Sequence, residues 1–169
     1  MELTLDDVAA DAVRADWHRL IQARLPSAGR HTGPTNRPHI TLALTGSVTE
    51  SERGQLAQIA AALPLRLTVG ALLVFGRRQY ILSRLVVPNR ELLELQRRVI
   101  AALDEPVDRH GTFRYGGWTP HITLARRLGP DQIGAAITAL GTVRAVDGTA
   151  VGLRLWDIQA HREERPTVG

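Results

Sequence analysis

Two short segments of the chain carry the same side chains capable of acid–base chemistry. The hexapeptide Pro-His-Ile-Thr-Leu-Ala occurs twice, with its histidines at His39 and His121 and its threonines at Thr41 and Thr123. Chance repetition of six residues is improbable in a chain this short, so the copies need a shared cause. Histidine gives or takes a proton near neutral pH. The pair could therefore supply the acid and the base for displacement at phosphorus, while the two hydroxyls donate hydrogen bonds to phosphate oxygens.

Both copies are predicted to be β-strands, because apolar and polar residues alternate in them. Side chains i and i+2 of a strand point to one face, about 6.6 Å apart. In each copy the histidine and threonine then share a face, and the other face carries Ile40, Leu42 and Leu44 in the first copy and Ile122 and Leu124 in the second. A lone histidine on a strand is usually structural, but a duplicated unit with matching apolar backs favours function.

The two halves of the chain show the same predicted order: strand, helix, motif strand, helix, strand. Around the His39 strand we expect strands at residues 2–5 and 65–75 and helices at residues 8–25 and 50–63. Around the His121 strand we expect strands at residues 80–87, 143–146 and 150–158 and helices at residues 89–103 and 131–140. Asp6 or Asp7 suits the N-cap of the first helix, and Thr49 with Glu52 has the form of a capping box.

The repeat is too long for a solenoid unit and indicates two fused lobes related by a pseudo-two-fold axis. Residues 1–169 are interpreted as one domain, with lobes at about 1–76 and 77–164 and with strands exchanged between them. This arrangement would let the two motif strands face each other across a cleft. The loops at residues 26–37 and 104–118 lead into the motifs and are expected to border that cleft.

Composition limits the compartment and the partner. The chain has no cysteine, which excludes disulfides and a thiolate nucleophile, and it has neither a signal-peptide pattern nor an apolar run long enough for a membrane span. We therefore expect a cytoplasmic protein. All 21 basic residues are arginine, so any phosphate contact must use a guanidinium. A formal charge of +4 is compatible with an anionic ligand but does not identify one.

The paired motifs resemble the signature of the 2H phosphoesterase superfamily, most closely its bacterial RNA 2′,3′-cyclic phosphodiesterase branch, often called the 2′-5′ RNA ligase family. The resemblance extends over nearly the whole chain. It implies an α+β, bilobal fold with antiparallel sheets lining a central cleft and helices outside. It also implies metal-independent hydrolysis of a 2′,3′-cyclic phosphate end of RNA to a 2′-phosphomonoester, or cleavage or formation of 2′-5′ linkages, without a cofactor. By analogy His121 is the base toward water and His39 the acid toward the 3′ oxygen, with Thr41 and Thr123 on the phosphate.

Further side chains are candidates for cleft or substrate contacts. In a regular strand Arg126 lies on the face opposite His121 and Arg127 lies in phase with it, although bulges at strand ends leave both open. Aromatic side chains stack on bases in single-stranded recognition. The aromatic candidates for such stacking are Phe75, Tyr80, Tyr115 and Trp118.

Three other interpretations remain open at this point. A metal site built on the two histidines has too few ligands, because the residue at i+2 is threonine rather than a metal-binding side chain. A nucleotide- or RNA-binding module would bind its ligand in the cleft without catalysing a reaction. A 2H enzyme acting on a small cyclic nucleotide would keep the chemistry and change the substrate. In each case we expect a monomer that does not bind membranes.

Overall fold

The computed structural model describes residues 1–31, 33, 35–108, 111–114, 116–157, 162–164 and 166. Its strands are β1 (Glu2–Leu5), β2 (His39–Thr41), β3 (Leu65–Gly76), β4 (Tyr80–Val86), β5 (His121–Leu128), β6 (Val146–Asp157) and β7 (Arg162–Glu164). Its helices are α1 (Asp7–Gln22), α2 (Glu50–Ala60), α3 (Arg90–Ala101) and α4 (Pro130–Leu140). The predicted α+β class is confirmed, with four helices and a curled antiparallel sheet that forms a half-barrel.

The helices begin where the sequence places capping residues. Asp6 accepts a hydrogen bond from the backbone N–H of Ala9, and Thr49 and Glu52 form the predicted capping box at the start of α2. Helix α1 ends at Gln22, three residues before its predicted end. Arg24 adopts a φ of +58°, which an α-helix cannot contain.

The C-terminal strands differ from the prediction. In place of two short strands at residues 143–146 and 150–158, a single strand, β6, runs from Val146 to Asp157. It pairs with β1 on one side and with β3 on the other. Strand β7, which the sequence pattern did not indicate, pairs with the end of β6.

The order of strands in the sheet is β2-β1-β6-β3-β4-β5, with every pairing antiparallel. Exchanging β1, β2 and β3 with β4, β5 and β6 reverses this order and leaves it otherwise unchanged. The topology therefore has a pseudo-two-fold axis between β3 and β6. The last strand of each half pairs with the first strand of the other half, so the strands of both halves form one sheet.

One face of this sheet packs against the helices and forms the core, with Leu3, Ile40, Leu82, Ile122 and Leu153 pointing into it. The same side holds a buried ion pair, in which Arg84 Nη1 donates to Asp16 Oδ2 at 2.8 Å. The opposite face carries the histidines and threonines of the two motifs, and we call it the motif face. Within the described residues no helix is both long enough and apolar enough to cross a bilayer.

Candidate active site

The two motif strands are the two ends of the sheet path, yet they lie against each other. Strands β2 and β5 are separated by four strands in the hydrogen-bonded order, and the curl of the sheet brings them into contact. His39 and His121 are close enough for the charge of His39 to lower the pKa of His121. Thr41 and Thr123 follow on the same face, and all four side chains are partly exposed.

The two imidazoles are held by the same backbone contact. Nδ1 of His39 lies 2.8 Å from the carbonyl oxygen of Arg37, and Nδ1 of His121 lies 2.8 Å from that of Thr119. A carbonyl oxygen can only accept, so each Nδ1 carries the proton and donates it. Each neutral ring therefore has its lone pair on Nε2, which leaves that atom for proton transfer.

Around His121 the surroundings disfavour the charged ring. Burial lowers the pKa of His121, and the positive charges of Arg126 and His39 lower it further, while the hydrogen bond to Thr119 acts in the opposite direction. The ring also packs against Phe75, with ring centroids 4.7 Å apart and planes tilted by 55°. His121 is therefore suited to accept a proton at neutral pH.

Strand β5 changes phase after its threonine, because its pairing with β4 is irregular. Thr123 lies opposite Ser83, whereas the next pair along β4 joins Leu82 to Ala125. Leu124 is thus an extra residue on β5, and both it and Ala125 are buried on the helix side. A bulge of this kind reverses the alternation of the side chains that follow it, here as far as a second irregularity between Ala125 and Leu128.

Arg126 consequently returns to the face that carries His121, which agrees with the effect of its charge on that residue. Strand β5 is not regular here, so the alternation that would put Arg126 on the opposite face and Arg127 in phase does not apply, and the bulge that left both residues open is present. Arg127 is exposed, and its backbone has a φ of +60°. The bulge therefore directs one guanidinium, and not its neighbour, toward the motif face.

Around His39 the side chains are charged. Glu2 on β1 places Oε1 at 3.3 Å from Nε2 of His39. Arg154 on β6 lies directly opposite Glu2 in the sheet and donates to its other oxygen, Oε2, from Nε at 2.8 Å. Arg154 Nη2 also lies 3.5 Å from Nδ1 of His39, but Nδ1 is itself a donor there, so this contact is not a hydrogen bond. Any proton on Nε2 of His39 has a carboxylate as its acceptor.

Two tryptophans fix the backbone of the motif strands. The indole N–H of Trp17 on α1 donates to the carbonyl of Thr123 at 3.0 Å, and that of Trp118 donates to the carbonyl of Thr41 at 3.2 Å. Each motif threonine is therefore tied through its main chain to a side chain from outside its own strand. Neither threonine hydroxyl is hydrogen-bonded to another residue in the described part of the chain.

The remaining predicted candidates lie in different settings. Tyr80 and Trp118 are partly buried and pack against the core, whereas Phe75 is on the motif face beside His121. Tyr115 lies outside the described residues. Of the four aromatic candidates, the structure thus brings Phe75 into contact with a motif histidine.

Sequence reasoning missed Glu2, Arg154 and Trp156 on the motif face. The guanidinium of Arg154 lies 5.7 Å from the centroid of the Trp156 ring. Leu153 and Leu155 alternate with these two residues, so the period of two already placed both on one face of β6. The proximity of Arg154 to His39 could not be predicted from the sequence, because it depends on the pairing of β6 with β1.

Among the described residues no group of three or more His, Cys, Asp or Glu side chains is placed to hold a metal ion.

The α+β half-barrel is consistent with the 2H phosphoesterase fold. The family model of the 2′-5′ RNA ligase superfamily matches residues 9–162, and the chain belongs to this superfamily. No curated protein matches the chain significantly. Enzymes of the superfamily are phosphoesterases and ligases that act on RNA or nucleotides, so membership indicates a 2H phosphoesterase-type activity.

Proposed function

We propose that the protein is a metal-independent phosphodiesterase that hydrolyses the 2′,3′-cyclic phosphate end of RNA, or of a related nucleotide, to a 2′-phosphomonoester. One observation carries this proposal. Two imidazoles from pseudo-equivalent strands share a face, and their neighbours carry opposite charge, with the carboxylate of Glu2 beside His39 and the guanidinium of Arg126 near His121. Displacement at phosphorus needs such a pair, one group to take a proton from water and one to give a proton to the departing oxygen.

The surroundings support specific roles. His121, whose pKa is lowered by burial and then by nearby positive charge, takes the proton of the attacking water on Nε2. The water oxygen bonds to phosphorus, and the bond from phosphorus to the 3′ oxygen breaks. His39 gives its Nε2 proton to that 3′ oxygen, which leaves with the bonding electron pair as a hydroxyl. The 2′ ester stays intact, so the product is a 2′-phosphomonoester.

Other groups stabilise the charge on the phosphate in this scheme. The hydroxyls of Thr41 and Thr123 donate to the non-bridging oxygens, which carry the negative charge. Arg126 adds a guanidinium on the side of His121, where the water enters. Phe75, in contact with His121, and Trp156, beside Arg154, supply aromatic surface for a nucleobase.

Product analysis tests this function directly. The protein is incubated with an RNA ending in a 2′,3′-cyclic phosphate, and separately with 2′,3′-cyclic mononucleotides, with and without a chelator. We expect 2′-phosphate products, formed at the same rate in chelator. Turnover of mononucleotides alone would move the substrate to a small cyclic nucleotide. Binding without any turnover would overturn the proposal in favour of a non-catalytic module.

Two further expectations from the sequence stay predictions. We expect the protein to act as a monomer, since each chain carries both histidines. We also expect it to work in the cytoplasm, where RNA ends with cyclic phosphates would be available to it.

A further inference from the structure

Glu2 and Arg154 form a buried ion pair on the motif face. On one edge of the guanidinium, Nε donates to Oε2 of Glu2 at 2.8 Å, and Nη2 lies 2.7 Å from the same oxygen as its ion-pair partner. The Arg154 side chain is 3% exposed and that of Glu2 is 10% exposed. This contact leaves the second carboxylate oxygen, Oε1, directed at Nε2 of His39. Nε2 is the atom to which the proposed function assigns proton transfer.

The arginine is itself held from the other side. Its Nη1 donates to the carbonyl of Thr35 and to Oε2 of Glu163, each at 3.1 Å. Glu163 also accepts a hydrogen bond from Arg37, whose carbonyl holds Nδ1 of His39. The guanidinium is thus fixed on both edges, and through it the carboxylate of Glu2 has one orientation.

The other half of the molecule shows that the fold does not require this ion pair. Glu2 lies opposite the motif threonine of β2, and the equivalent position on β4, opposite Thr123, is Ser83. The residue opposite Ser83 on β3 is Leu73, where β6 has Arg154. A buried ion pair carries the cost of taking two charges out of water, which the uncharged Ser83 and Leu73 do not. Its presence beside one histidine alone points to a role at that histidine.

We propose that Glu2 is the positioning residue of the general acid, with Arg154 fixing its carboxylate. This inference rests on the proposed function. Nδ1 of His39 donates to Arg37, so a second proton on the ring must sit on Nε2, and Oε1 of Glu2 accepts from it in the free enzyme. The 3′ oxygen then takes this proton as its bond to phosphorus breaks, and the neutral ring regains a proton from solvent. Glu2 is not consumed and does not touch the phosphate.

A leaving-group comparison tests this role. A 2′,3′-cyclic nucleotide expels a ribose oxygen that needs a proton, whereas a p-nitrophenyl phosphodiester of a nucleotide expels a stable phenolate that does not. For Glu2→Gln we expect turnover of the cyclic substrate to fall roughly tenfold or more, and turnover of the p-nitrophenyl ester to stay within about twofold. A residue that only stabilises the fold would lower both rates equally.

The matched control is Glu94→Gln on α3. Like Glu2, Glu94 pairs with a single arginine. It accepts two hydrogen bonds from Arg97, but it lies on an exposed helix surface away from the motif face. This variant should retain both activities. If Glu2→Gln does not fold, Glu2→Asp keeps the charge and withdraws the oxygen from His39. This variant should also lose more activity on the cyclic substrate than on the p-nitrophenyl ester, but by a smaller factor.

The outcomes separate this inference from the function on which it rests. A parent enzyme active on the cyclic substrate, together with a Glu2 variant that loses both activities equally or neither, would overturn the role of Glu2 and leave the function standing. A parent enzyme that turns over neither substrate would overturn both proposals. The split between the two substrates supports both.

Discussion

The surroundings of the two motif strands differ far more than the strands themselves. Residues 39–44 and 121–126 show the same succession of burial, partly exposed, buried, partly exposed, buried, buried, exposed. The positions around them do not match. The positions of Glu2, Arg154, Trp156 and Leu44 in one half correspond to those of Ser83, Leu73, Phe75 and Arg126 in the other.

This difference is what would let the duplicated motif fill the two roles that we propose for it. The fold gives both imidazoles the same backbone contact on Nδ1, so the geometry alone assigns neither ring as acid or base. A carboxylate next to His39 and a guanidinium near His121 break the symmetry. Neighbouring charge, rather than the motif itself, is therefore what distinguishes the two halves.

Removal of each imidazole is expected to have the largest effect, and it tests whether the two histidines are divided into acid and base. His121→Ala should lower turnover of a 2′,3′-cyclic nucleotide by at least ~10²-fold, and His39→Ala should do the same, the usual worth of a general base or acid. With a p-nitrophenyl phosphodiester only His121→Ala should remain severe, because that leaving group needs no proton. Steady-state rates of both variants on both substrates check this. Equal losses on both substrates would mean that the two histidines are not divided into acid and base.

The tryptophans allow a comparison of how firmly each strand is held. Trp17→Phe should lower the free energy of unfolding by about 2 kcal/mol and Trp118→Phe by about 1 kcal/mol, because each loses a hydrogen bond to a threonine carbonyl and Trp17 is the more buried. Denaturant unfolding of the two variants measures the difference. The reverse order would show that β2 depends more on its indole contact than β5 does.

The smallest expected effect comes from Arg126, and it tests the influence of neighbouring charge on the pKa of His121. Because its charge helps to lower the pKa of His121, Arg126→Gln should let that pKa rise. The base must be neutral to act, so the acid limb of the pH profile of kcat/KM should move to higher pH, by on the order of half a unit for one neighbouring charge. Arg127→Gln, which alters an exposed residue beyond the bulge, is the control and should leave the limb in place.

Much of the local structure could be predicted from the sequence. Strand β1, the motif strands and the capping box follow from alternation and from the chemistry of Thr49 and Glu52. Strand β6 was predicted as two pieces, separated at residues 147–149, a stretch that contains Gly148. Pairing on both edges keeps it continuous, and Gly148 is needed there because a Cβ would lie 2.6 Å from that of Ala9 on α1.

The composition of the site was less accessible from sequence. The four motif residues were predicted as a set, and their catalytic roles stay predictions. The face on which Arg126 lies depends on a bulge that no residue pattern in β5 predicts. The contact of Glu2 with Arg154 joins residues 152 positions apart, and it exists because the last long strand of the chain inserts between β1 and β3. Local sequence patterns do not determine which distant strands pair, so a contact of this kind cannot be predicted from them.

The exchange of β3 and β6 has a consequence for assembly. A cut in the turn between Gly76 and Tyr80 would separate two polypeptides, each of which keeps its own motif strand but gives its final strand to the other. In either piece alone, the first strand could form backbone hydrogen bonds along only one of its two edges. The chain is thus a natural candidate for a split reporter, in which catalysis returns only when both fragments recombine.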